Sequence, residues 1–177
     1  MKLQAFGSLA ALLLAVSAPA IADKSAGDVV DDSTITTEVK AGLVGAKGVD
    51  SNDINIETYK GVVLLSGFLT DQAQKNSADK VAKAVKGVKK VENRIVVHPS
   101  TSMGTKLDDT ALVGKVKSAL VDADKVKSGE INIEARDGIV QLGGFVKSDG
   151  MKKRAIDITK GIKGVKSVDD ALIVKPK

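Results

Sequence analysis

The sequence has 177 residues, of which 43% are hydrophobic, 28% charged and only 2% aromatic. That balance describes a folded globular chain with an aliphatic core and excludes a disordered one. The net charge of +5 is modest, and the absence of cysteine removes disulfides, thiolate zinc sites and thiol chemistry.

Met1 and Lys2 give a basic start, residues 3–16 (LQAFGSLAALLLAV) an apolar run, and Ala20 and Ala22 the small residues of a cleavage site. This layout predicts a cleaved secretory signal peptide over 1–22. The apolar run is shorter than the roughly 20 residues that span a bilayer. Export of a cysteine-free chain points to a bacterial periplasm, and it closes the route to a lipoprotein. Residues 23–31 read as a flexible leader.

From residue 31 onward the chain repeats itself. Shifted by 77 positions, so that Asn55 falls on Asn132, residues 31–100 align with 108–177 without a gap. Roughly 28 of the 70 pairs are identical, which marks a duplicated folding unit. At about 70 residues each copy is large enough for a small domain. The expected division is a first domain over 32–99, a linker over 100–108 (the Pro, Ser, Thr and Gly of HPSTSMGTK) and a second domain over 109–177.

Each copy reads helix, strand, strand, helix, strand. Asp32 and Ser33, or Asp109 and Thr110, are helix N-cap types. They precede Ile35, Val39 and Leu43, matched by Leu112, Val116 and Leu120, at the spacing of one helical face. Ile54, Ile56 and Thr58 alternate with Asn55 and Glu57 as a half-buried strand, and Asp137-Gly138 is a strong hairpin signal. The return strands put Val63, Leu65 and Gly67, or Val140, Leu142 and Gly144, on one face. The two glycines mark a bulge or the close approach of a helix.

A second helix turns Ala78, Val81, Ala82 and Val85 inward, or Ala155, Ile158, Thr159 and Ile162, and Gly87 or Gly164 stops it. The last strand carries Val91, Ile95 and Val97, or Val168, Leu172 and Val174. The expected fold class is α/β of the α+β kind, with two helices on one face of a three-stranded mixed sheet, because only that face repeats its apolar residues.

The stretches GVVLLSGF…VKGVKKVENRIVV and GIVQLGGF…IKGVKSVDDALIV resemble the BON domain (bacterial OsmY and nodulation), and the tandem arrangement behind a signal segment resembles the OsmY-like osmotically inducible periplasmic proteins. The resemblance covers nearly the whole chain after the signal segment. It implies an α/β fold, an envelope or osmotic-stress role, and contact with phospholipid surfaces or chaperone-like help to exported proteins. It assigns no individual binding residue.

Reactive centres are hard to find. His98, the single histidine, becomes Lys175 in the second copy and reads as a solvated linker residue. Ser66 lies mid-strand, lacks the glycine two residues earlier of a nucleophile elbow, and becomes Gly143. Glu57 and Glu134, beside Asn55 and Asn132, read as solvated strand residues. The expectation is a non-enzymatic protein without cofactor, catalytic site or metal site.

Charge placement is more informative. Residues 71–90 hold Lys75, Lys80, Lys83, Lys86, Lys89 and Lys90 against Asp71 and Asp79; residues 148–167 hold Lys152, Lys153, Arg154, Lys160, Lys163 and Lys166 against Asp149 and Asp157. Lys75, Lys83, Lys86, Lys90, Lys152, Lys153, Lys160 and Lys163 are therefore candidates for binding an anionic phospholipid surface. Nucleic acid is disfavoured, since stacking aromatics are missing. A second surface is the sheet face turned from the helices, where Val62, Leu64, Val96, Ile139 and Ile173, with Tyr59 nearby, are candidate protein contacts. It suits docking between the two domains or capture of exported client proteins.

Overall fold

The computed structural model describes residues 31–99, 102–123, 126 and 128–176. The expected signal peptide and nearly all of the leader lie outside the described residues. No helix among those described is long and apolar enough to cross a membrane.

Module 1 comprises α1 (Asp32–Gly45), β1 (Ile54–Tyr59), β2 (Val62–Leu69), α2 (Gln72–Ala84), β3 (Lys90–Asn93) and β4 (Val96–Val97). Module 2 repeats it as α3 (Met103–Val121), β5 (Asn132–Arg136), β6 (Ile139–Val146), α4 (Asp149–Lys160) and β7 (Ser167–Val174). In each, the first two strands are antiparallel and the last runs parallel to the central one. Ile35, Val39, Leu43, Val63, Leu65, Ala78 and Ala82 form the first core, and Leu112, Val116, Leu120, Val140, Leu142 and Ala155 their equivalents in the second. Thr159 replaces an alanine in that second core and hands its hydroxyl to the Ala155 carbonyl at 2.8 Å.

Asp32 and Asp109 are not N-caps. Asp31 holds the N-cap position of α1, while α3 starts at Met103 with Ser102 accepting the Thr105 amide at 3.3 Å. The linker expected over 100–108 is thus helical from Met103 onward, because Ser102 supplies a cap six residues before the unit begins. The two aspartates instead hold the hairpins. Asp32 accepts the Lys60 and Gly61 amides at 2.6 and 2.7 Å; Asp109 accepts those of Asp137 and Gly138 at 2.7 and 2.9 Å. Those turn residues all have positive φ, between 51° and 80°, as a type I′ turn requires.

Gly67 and Gly144, at φ 121° and 142°, are approached by backbone rather than by a helix. A Cβ there would fall against the carbonyl oxygen of Asp53 or Glu130, each closing a short 3-10 turn. The last strand of module 1 is interrupted. Asn93 turns its side chain to the Lys75 carbonyl at 3.0 Å and accepts the Ile95 amide at 3.3 Å, so the chain jogs between β3 and β4. Ile95 still enters the core, but Val97, expected inward, is 38% exposed.

The faces without helices meet. β2 packs on β6, β1 on β6, and β2 on β5. The result is four layers, with α1 and α2 outside one sheet and α3 and α4 outside the other.

Candidate functional site

Period-two alternation gives each central strand a second buried face. Leu64, Ser66 and Phe68 alternate with the core residues of β2, and Gln141 and Phe145 with those of β6; none is more than 5% exposed, and none belongs to either helix-side core. They are buried by the opposite module. Gln141 is the polar centre. Its carbonyl accepts the Gly67 amide at 2.5 Å, and its amide donates to the Arg94 carbonyl at 2.7 Å and to Asp169 at 2.8 Å. Beside it Gly143 makes room for Ser66, whose Oγ would lie 2.6 Å from a Cβ at that position.

Around this centre the contacts come in exchanged pairs. Asn55 donates to Glu134 at 3.1 Å, and Asn132 donates to Glu57. These are the same two positions of the repeat with the modules exchanged, which is the geometry of a two-fold interface. Glu57 and Glu134 are therefore not free strand-face residues. Burial pushes the Glu57 carboxyl above its ordinary value, opposed by a hydrogen bond from the Phe145 backbone and by the Lys175 charge.

An open cleft lies on each side of the axis. One, of about 410 Å³, is lined by Glu57, Tyr59, Glu130, Phe145 and Lys175; its counterpart, of about 300 Å³, by Asp53, Asp109, Glu134 and Arg136. In the first, Tyr59 tilts against Phe145 with ring centroids 5.6 Å apart, and Lys175 pairs with Glu130 at 3.3 Å. In the second, Arg136 lies over the Phe68 ring at 5.4 Å, binds Asp53 at 3.0 Å and donates to the His98 carbonyl at 3.1 Å. His98 itself sits 3.6 Å from Asp137, at the boundary rather than out in a linker. Among the described residues no group of histidines and carboxylates is placed to hold a metal ion.

Of the sequence-predicted protein contacts, Leu64 is 1% exposed, while Tyr59, Val62, Val96, Ile139 and Ile173 are half-buried. The lysine candidates divide. Lys86, Lys153, Lys160 and Lys163 are exposed. Lys83 is exposed and pairs with Asp79 at 2.6 Å, and Lys90 pairs with Glu92 at 2.6 Å, whose carboxyl it holds below the ordinary range. Lys75 is half-buried. Lys152 is committed to the fold, donating to the Leu172 carbonyl at 2.7 Å and to Asp170 at 2.8 Å.

Both units match the BON domain, over residues 31–99 and 108–176. The chain belongs to the BON domain family. It is 42% identical over 151 residues to the osmotically-inducible protein Y of Escherichia coli (strain K12), covering 84% of this chain and 75% of that protein. It is 31% identical over 156 residues to the outer membrane lipoprotein DolP of Haemophilus influenzae, covering 87% and 80%. This is a tandem-BON, OsmY-like chain. Among solved structures CdsD, a structural protein of the type III secretion system of Chlamydia trachomatis, aligns at TM-score 0.35 and 15% identity, over 84% of this chain and 65% of that one. That likeness is too low to carry an argument.

The Asn–Glu exchange and the role of Gln141 were missed by sequence reasoning. A signal was present: Asn55 and Glu57 are kept in both copies, whereas a solvated strand face has no reason to keep them.

Proposed function

We propose that this chain is a non-enzymatic periplasmic protein of envelope and osmotic-stress maintenance, which touches anionic phospholipid surfaces through its BON modules. The observation that carries the reading is the division of surfaces: the sheet faces cover each other, and exposed lysines cluster on and just beyond α2 and α4, with further ones on the neighbouring helices α1 (Lys40) and α3 (Lys106, Lys115 and Lys117). The names of its relatives, an osmotically-inducible protein and an outer membrane lipoprotein, support the envelope setting. The sequence has no cysteine to carry a lipid, so the contact is peripheral.

A basic residue beside an anionic bilayer contributes about 1 kcal/mol. Three or four on and just beyond one helix give roughly 3–4 kcal/mol, a millimolar affinity that salt weakens. Flotation with liposomes tests this. Recovery with phosphatidylglycerol vesicles at low salt, lost with phosphatidylcholine or at high salt, is the expected result; equal recovery with both lipids removes the reading. Client capture through the sheet faces is the alternative, and it requires the modules to part, since Leu64 is covered. A disulfide-locked pair that still suppressed client aggregation would exclude that route.

A further inference from the structure

The four-layer packing decides how two basic helices are used. We infer that the protein tethers two anionic bilayers to each other, one on each outer helix layer, instead of laying both modules on a single membrane. This rests on the phospholipid reading and gives it a direction.

The argument starts from helix phase. In α2 the buried residues are Ala78 and Ala82, and Lys80 is two residues from each, which is about 200° around the helix. In α4 Lys153 stands in the same relation to buried Met151 and Ala155. Lys160 and Lys83, the latter paired with Asp79 at 2.6 Å, share those outward faces and are exposed. Each lysine face therefore points away from its own sheet. The two sheets face each other across the module boundary, so the two lysine faces look in opposite directions. A flat membrane on one of them leaves the other presented to solution.

Four layers at about 10 Å each hold these faces roughly 40 Å apart. The Debye length at physiological ionic strength is about 8 Å, so two bilayers held at that gap are screened from one another. Each protein binds either surface weakly, but many bridges between the same two surfaces act together.

The test uses the chain without residues 1–22 and vesicles of phosphatidylglycerol and phosphatidylcholine at low salt. Flotation reads binding, and light scattering reads vesicle clustering. Wild type is expected to float and to raise the mean particle diameter several-fold, reversibly with salt. Lys80→Glu/Lys83→Glu and Lys153→Glu/Lys160→Glu each reverse two cations of one face; each should still float and should cluster vesicles several-fold less than wild type. Glutamine at the same positions repeats the comparison with a gentler change should either reversal fold poorly. Wild type that floats without clustering vesicles overturns the inference and leaves the lipid reading standing. Clustering by these variants as strong as by wild type also overturns it. No flotation by wild type removes both.

Discussion

Gln141 reaches across the module boundary and takes the Gly67 amide at 2.5 Å, at the position where the first copy of the repeat carries Leu64. A leucine at 141 would roughly preserve the volume, leave the buried Gly67 amide without its partner, and take a donor from the part-buried Arg94 carbonyl and Asp169 carboxylate. Gln141→Leu is expected to cost about 2–4 kcal/mol, since each orphaned buried group costs about 1–3. Urea unfolding of the two proteins should show a lower midpoint with an unchanged or shallower slope. An unchanged midpoint would mean the contact is dispensable.

Gly143→Ala puts a methyl group against Ser66, and overpacking of this kind costs about 1–3 kcal/mol. Ser66→Gly alone should also destabilise, by loss of packing. The double variant is the informative one. It should regain at least half of the Gly143→Ala loss, and a coupling energy near zero in the cycle would place these residues apart in solution.

Glu57 makes docking sensitive to pH. Its folded-state carboxyl is raised by burial, so the folded protein holds the proton more tightly than the unfolded chain does. The ionised form is the disfavoured one. Stability should therefore rise as pH falls through the raised value, levelling near the ordinary glutamate value of about 4.3. Glu57→Gln keeps an acceptor for Asn132 and cannot ionise. Its stability at pH 7 should equal or exceed wild type, and the difference between the two melting temperatures should shrink towards pH 5. A difference that widens there would reverse the assignment.

The hairpin aspartates offer an internal comparison. Asp109 is 6% exposed, whereas Asp32 is half-buried. Asp109→Ala leaves two turn amides without partners inside the protein and should cost about 2–4 kcal/mol. Asp32→Ala, where water can reach the amides, should cost less. Thermal unfolding of both variants checks the order.

The core was legible in the sequence because it is periodic. Ile35, Val39 and Leu43 repeat every four residues, and Val63 and Leu65 every two, so their partners could be placed. Asp32 and Asp109 were misassigned since an aspartate before an apolar helical face looks the same whether it caps that helix or clasps a turn 28 residues later. The Val97 position failed because the jog at Asn93 comes from its side chain competing with the strand ladder, which alternation does not register. The boundary between modules was harder. Gln141, Asn55 and Glu57 are polar residues on the face that alternation assigns to solvent, and only a second sheet buries Gln141 and half-covers the other two.

The reciprocal Asn–Glu contacts also say something about origin. A surface that complements itself is what two identical gene products offer each other, and joining them end to end turns a concentration-dependent pairing into a permanent one. Once fused, the halves need no longer match. Leu64 traded for Gln141 and Tyr59 for Arg136 are the marks of that freedom, and they commit each half to its sibling over a copy of itself.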